Sequence, residues 1–232
     1  MRRISILLAI VVACAMNVQA AGPKTLSRTV PAADLVSIEL DSGVGDIEIT
    51  GRDDAAEVMI DVVLTPRRGG LFSSMRRAEQ EVEEATLRAD VKGDRLSLGI
   101  DPEGEDRRFE EKWTIVLPAR LYVTIDHGVG DVELRGISGG LEIESGVGDV
   151  LAEVGSGDVR IELGVGDASL RAPADAYASA EASGGVGDAR LSVRGERISG
   201  SGFVGKSASW TGDGNFHIDM EVGVGDAHIK LN

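Results

Sequence analysis

The sequence predicts an all-β chain: a β-solenoid, β-roll or β-helix-like, of nine-residue strand-and-turn units, behind an N-terminal β section with one short helix. Two observations carry this. The tetrapeptide GVGD occurs six times, at 43–46, 128–131, 146–149, 164–167, 185–188 and 223–226. After each turn apolar residues alternate: Ile47 and Ile49, Val132 and Leu134, Leu141 and Ile143, Val159 and Ile161, Ala189 and Leu191, Ala227 and Ile229. Period two over four to six residues between glycines means strands with one buried face. Glu48, Glu133, Glu142, Arg160, Arg190 and His228 fall on the other, solvated face.

The spacing selects the architecture. Asp131, Asp149 and Asp167 are 18 residues apart, with Gly140 and Asp158 at the midpoints. A coil of two strands brings every second corner into register, whereas a meander has no reason to prefer alternate turns. A twisted antiparallel β-sandwich is the alternative. At ~4.8 Å per coil, five or six coils would span about 25–30 Å.

Residues 1–21 read as a secretory signal peptide: Arg2 and Arg3, an apolar run from Ile4 to Met16, then small residues, with cleavage near Ala20 or Ala21. The rival processing is at Val11-Val12-Ala13-Cys14, which would make Cys14 the lipidated first residue. With Cys14 removed no cysteine is left for a disulfide, so burial and backbone pairing must hold the fold. No later apolar stretch approaches the ~20 residues of a membrane-spanning helix.

The N-terminal section covers 22–118. Leu35 to Thr50 reads as two strands around the first GVGD, Ala56 to Thr65 as a third, and Pro66 to Gly70 as a break. Leu71, Met75, Ala78 and Val82 follow a helical spacing, which predicts a helix over 71–84. Leu87 to Val91 and Leu96 to Ile100 form a hairpin around KGD. A charged loop, Asp101 to Arg108, follows, and Trp113 to Leu117 leads through Pro118 into the strand Leu121 to Ile125. The repeat body, 119–232, continues from there without a flexible tether.

The stretch TIVLPARLYVTID followed by HGVGDVELRGISGGLEIESGVGDV resembles a large bacterial family of secreted putative adhesins with Gly-Asp strand repeats, a domain of unknown function. The resemblance covers roughly 30–232 and rests on Pro118, the Gly-Asp corners and the hairpin before them. It implies an envelope location and a binding or scaffolding role, and it supplies no catalytic residues.

The chemistry at hand is that of the corners. Gly43, Gly45, Gly128, Gly130, Gly146, Gly148, Gly164, Gly166, Gly185, Gly187, Gly223 and Gly225 supply the sharp turns, and Asp46, Asp131, Asp149, Asp158, Asp167, Asp188 and Asp226 are read as turn residues accepting backbone N–H groups within their own turns. Calcium is the rival reading for these aspartates, because secreted β-rolls bind it through GGxGxDxUx nonapeptides. Here the Asp falls one residue too early. No other cofactor is expected. His127, His217 and His228 are scattered and read as surface residues.

Glu133, Glu142, Glu144 and Glu162 could line one sheet face, as carboxylates do in glycan-cleaving β-helices, but outward acids also keep a sheet soluble. GVGD is followed by a strand rather than by the helix a phosphate cradle needs. The net charge of −15 opposes nucleic-acid binding. The arginine pairs 67–68, 76–77 and 107–108 are all N-terminal and read as a solvated helix face and loop, with contact to phosphate-bearing envelope lipids or to the acidic body of another copy as the alternative. Trp210 and Phe216, between Asp188 and Asp226, read as a cap on the final coils, with stacking on sugar rings as the alternative.

The expectation is therefore a non-enzymatic exported protein, periplasmic, surface-associated or extracellular, acting as an adhesin-like or scaffold module through a repeated β surface. Its partner is an unidentified envelope polymer or protein, and an open end leaves room for self-association. An envelope-stress or regulatory protein with one defined partner is the alternative, and a glycan-active enzyme the third.

Overall fold

The computed structural model describes residues 22–67, 75–102, 107–199 and 205–232. The leader predicted at 1–21, Cys14 within it, and the first four residues of the helix predicted from Leu71 lie outside the described residues.

The chain is all-β with one α-helix. The N-terminal strands are β1 (Lys24–Pro31), β2 (Ser37–Val44), β3 (Ile47–Arg52) and β4 (Glu57–Pro66). Helix α1 (Met75–Glu84) follows, burying Ala78 and Val82, then β5 (Thr86–Lys92), β6 (Arg95–Asp101) and β7 (Phe109–Pro118). The repeat contributes β8 (Tyr122–Val129), β9 (Val132–Ile137), β10 (Leu141–Val147), β11 (Val150–Val154), β12 (Val159–Val165) and β13 (Ala168–Ala172). The C-terminal strands are β14 (Tyr177–Val186), β15 (Ala189–Val193), β16 (Glu196–Ser199), β17 (Lys206–Thr211), β18 (Phe216–Val224) and β19 (Ala227–Leu231).

These strands form two open mixed sheets. One runs β1-β4-β7-β3-β9-β11-β13-β19-β15-β16, the other β17-β14-β18-β12-β10-β8-β2-β6-β5. From β8 to β13 successive strands alternate between the sheets and pair in parallel with strands two further along the chain. Leu141 pairs with both Val123 and Val159, and Val150 with both Val132 and Ala168, each an offset of 18 residues. Period-two alternation explains the core: Ile125, Ile143 and Ile161 point inward from one sheet, Leu134, Ala152 and Leu170 from the other, all buried.

The ends depart from this order. The last pair, β18 and β19, does not stack beyond β14 and β15. It lies between them and β12 and β13: Val159 pairs with Ile218, and Ile218 with Ala180. At the other end β2 and β3 lie next to β8 and β9, and β6 and β7 lie beyond them. Antiparallel strands finish the sheets, β4 and β1 beyond β7, β5 beyond β6, β16 beyond β15 and β17 beyond β14. β1 was not read from the sequence; only Val30 of its eight residues is buried, so it lacks a core-facing alternation.

Candidate functional site: the GVGD edge and the acidic face

The intercalation of β18 and β19 brings all six GVGD corners onto one edge, in the spatial order 46, 131, 149, 167, 226, 188. The backbone N–H of Asp131 donates to Asp46 Oδ1 at 3.3 Å, that of Asp149 to Asp131 Oδ1, Asp167 to Asp149 Oδ1, Asp226 to Asp167 Oδ1 and Asp188 to Asp226 Oδ1, each at 2.9 Å. Lys206 Nζ caps the last carboxylate, Asp188 Oδ1, and its hydrogen bond and charge hold that carboxyl below its ordinary range. The expectation of bonding within each turn is corrected: each carboxylate ties its corner to the next. Asp158, on the opposite edge, does the same, accepting from the backbone N–H of His217 at 2.8 Å.

Glycine is required here for two reasons. Gly148 has φ +140°, and a Cβ on it would lie 2.0 Å from the carbonyl oxygen of Gly130. Gly146 has an ordinary φ, yet its Cβ would lie 2.5 Å from the Gly128 oxygen. Parallel strands about 4.8 Å apart leave no room for a side chain between such corners. The column formed by Gly43, Gly128, Gly146, Gly164, Gly223 and Gly185 therefore carries no side chains along the outer face. What remains is a trough of about 470 Å³ centred on Gly146 and Gly164.

Two acidic rows border this edge. Strand register aligns Asp41, Asp126, Glu144, Glu162 and Glu221 on the outer face. The corner aspartates form the other row. Between them stand the corner valines Val129, Val147, Val165 and Val224, each 45–47% exposed, and Val186 at 63%. Of the glutamates expected to share a face, Glu142, Glu144 and Glu162 lie on one sheet, in β10 and β12, while Glu133 lies on the other, in β9. Arg160 pairs with Glu162 and, at 3.8 Å, with Asp219. Among the described residues no group of three or more His, Cys, Asp or Glu side chains is arranged to hold a metal ion.

A buried polar cluster lies beneath the front of this edge, and the sequence reading missed it. Glu111 is 1% exposed; its Oε2 accepts from Ser42 Oγ at 3.0 Å and Trp113 Nε1 at 2.8 Å, and its Oε1 from Arg107 at 2.7 Å. The phase of Phe109, Glu111, Trp113, Ile115 and Leu117 was the available signal, since it points Glu111 inward. His127 corrects the surface reading: it is 2% exposed, with Nδ1 3.3 Å from the Ser42 carbonyl oxygen. Its Nε2 lies beneath Gly130 without a well-formed hydrogen bond. Burial pushes the imidazole below its ordinary pKa, only partly offset by the Ser42 carbonyl and Glu111.

Arg107 and Arg108 are also corrected as a free basic surface, because Arg107 serves Glu111 and Arg108 pairs with Glu81 of α1 at 3.3 Å. His217 and His228 are exposed. Trp210 and Phe216 are half-buried against the core, with Phe216 meeting Tyr177 edge-on at 6.3 Å between centroids.

Two face-packed open sheets with a corner ladder define the class of this protein. The structure is similar to that of a putative cell adhesion protein from Clostridium sporogenes, at 21% identity over 90% of this chain and 100% of that one, with a TM-score of 0.58. That likeness shows the fold. Putative adhesins from Bacteroides fragilis (14% identity, 89% and 97% coverage, TM-score 0.32) and Parabacteroides distasonis (11%, 92% and 98%, 0.29) are similar only at a level that carries no argument. No family model matches the sequence, and no curated protein matches it.

Proposed function

We propose that this chain is a non-enzymatic exported protein of the bacterial cell envelope, an adhesin-like module that binds through the repeated surface of a β-solenoid. The observation that supports it is the parallel register of β8, β10 and β12, which sets Asp126, Glu144 and Glu162 in one straight row and Val129, Val147 and Val165 in another. A row of weak contacts at a fixed spacing binds a polymer or an elongated partner through multivalency and needs no deep pocket. The name of the Clostridium sporogenes protein and the leader-like first 21 residues agree with this reading.

Co-sedimentation of purified residues 22–232, which carry every described element, with peptidoglycan, lipopolysaccharide vesicles and whole envelopes tests it, with calcium and with chelator. Saturable binding to one fraction is expected. Absence of binding to all three would contradict the proposal, and the calcium arms decide whether an ion bridges the corner carboxylates.

A further inference from the structure

The geometry points to the GVGD edge as the docking site for a cationic amphipathic α-helix of a partner protein. This deepens the proposed function and rests on it, since both treat the repeated body as a binding surface. The edge presents an apolar stripe in strand register, Val129, Val147, Val165 and Val224, each close to half exposed. An aligned apolar stripe of this kind on a protein surface marks an interaction site. Both of its borders are anionic.

Charge decides the chemistry of the occupant. On the trough side, Asp126, Glu144 and Glu221 have no cation in ion-pair contact among the described residues. On the corner side, Asp131, Asp149 and Asp167 each use Oδ1 for a backbone N–H, which leaves Oδ2 outside the ladder. An occupant of the stripe therefore meets carboxylates on both flanks, which favours lysine and arginine beside its apolar face and disfavours phosphate-bearing polymers. A second copy laid stripe to stripe would set acidic rows against acidic rows.

Pitch decides the conformation. Successive valines are one strand spacing apart, about 4.8 Å, and one turn of an α-helix rises 5.4 Å, so a helix lying along the edge offers roughly one apolar side chain per coil. The mismatch over four turns is about 2.4 Å, within the reach of flexible side chains. An extended strand repeats its face every ~6.7 Å and loses register after two coils. Six corners span about 24 Å, the length of a helix of about 16 residues, and helix-in-groove recognition uses this same i, i+3, i+4 pattern.

The test is fluorescence anisotropy with purified residues 22–232 and three labelled peptides, each of about 18 residues. One has Leu at i, i+3, i+4 spacing with Lys elsewhere, one replaces every Lys by Glu, and one holds the same Leu and Lys in strict alternation. Binding of the cationic helix is expected, at least about tenfold tighter than either control and weakened by salt. The doubly substituted Val147→Lys, Val165→Lys chain should lose at least about tenfold in affinity while keeping its melting temperature, because both valines are exposed. Asp126→Asn with Glu144→Gln should weaken binding and flatten its salt dependence.

Equal binding of the acidic helix, tighter binding of the alternating peptide, no binding of any peptide, or no effect of the valine substitutions would overturn the proposal. So would a concentration-dependent dimer abolished by those substitutions, which would assign the stripe to a second copy. Envelope co-sedimentation on the same preparations separates the two claims. Saturable envelope binding without peptide binding overturns the helix partner and leaves the binding module standing, whereas peptide binding without envelope binding overturns the envelope assignment alone.

Discussion

The central strands and the two ends of this molecule use the same residue types under different constraints. From β8 to β13 chain order equals spatial order: every corner is GVGD or its alternate, every pair is parallel, and the offset is 18 residues except at the end of β11, where a register shift pairs Val154 with Ile137. At the ends the chain doubles back, antiparallel strands appear, and turns such as Lys92-Gly93 and Arg194-Gly195 stand in open space. A glycine in the middle is held by the corner of the neighbouring strand, as Gly148 is by Gly130. Gly93 and Gly195, by contrast, serve only their own turns.

That contrast is sharpest at Gly148. Replacing it by Val places a β-branched residue at φ +140° and drives its Cβ into the Gly130 carbonyl. Backbone strain of about 1–3 kcal/mol and overpacking of similar size add to about 4 kcal/mol of lost stability by denaturant unfolding. Gly93→Ala, at φ +66° with nothing within 4 Å, should cost only about 1 kcal/mol. Equal costs at the two positions would erase the distinction between middle and end.

Glu111→Ala probes the junction of front and middle. It leaves Arg107 without its buried partner, and Ser42 and Trp113 without an acceptor, so a loss of about 3 kcal/mol is expected in the same assay. A loss under about 1 kcal/mol would show that the cluster contributes little to the junction.

Within the ladder, Asp149→Ala removes the acceptor for the Asp167 N–H and should cost about 1–2 kcal/mol, with Asp149→Asn milder because its amide oxygen still accepts. A larger cost for Asn than for Ala would contradict the ladder.

The smallest effect is a pH dependence that belongs to the front. Because burial lowers the His127 pKa in the folded state, the unfolded chain binds the extra proton, and stability falls as pH drops below about 6.5. His228, exposed but lowered by partial desolvation of its ring and then by the charge of Arg190, acts in the same direction. His127→Leu should therefore reduce, without abolishing, the fall in melting temperature between pH 7.5 and 5.5. An unchanged fall would show that His127 is not the group being protonated.

The middle was legible in the sequence because one constraint repeats there: Asp131, Asp149 and Asp167 mark the 18-residue offset between paired strands, and alternation marks the inward face. The ends were not, for separate physical reasons. The β1 residues Leu26 and Arg28 lie on an edge strand that buries too little to alternate. Nothing in the residues of β14 to β19 specifies that β18 and β19 insert between strands laid down earlier, since Val165, Val186 and Val224 sit in identical GVGD corners. Glu111 was hidden by its charge, although its phase with Trp113 pointed inward. His127 was hidden for the same reason, one residue before a corner on the inward phase of β8. The candidate edge was half legible: glycine and aspartate were read as corners, while the bonding from coil to coil and the stripe of valines needed the register.

The central claim is the spatial order of the corners, with the corner of β18 and β19 inserted between Asp167 and Asp188. Residues 22–232 contain no cysteine, so paired substitutions report on it directly. The structure makes Val165 and Val224 direct neighbours, as are Val224 and Val186, whereas Val165 and Val186 are two strand spacings, about 9.6 Å, apart, too far for a disulfide. Under mild oxidation, the double variants Val165→Cys with Val224→Cys and Val224→Cys with Val186→Cys should form intramolecular disulfides, and Val165→Cys with Val186→Cys should stay reduced. A disulfide between 165 and 186, with none at either site to 224, would contradict the account.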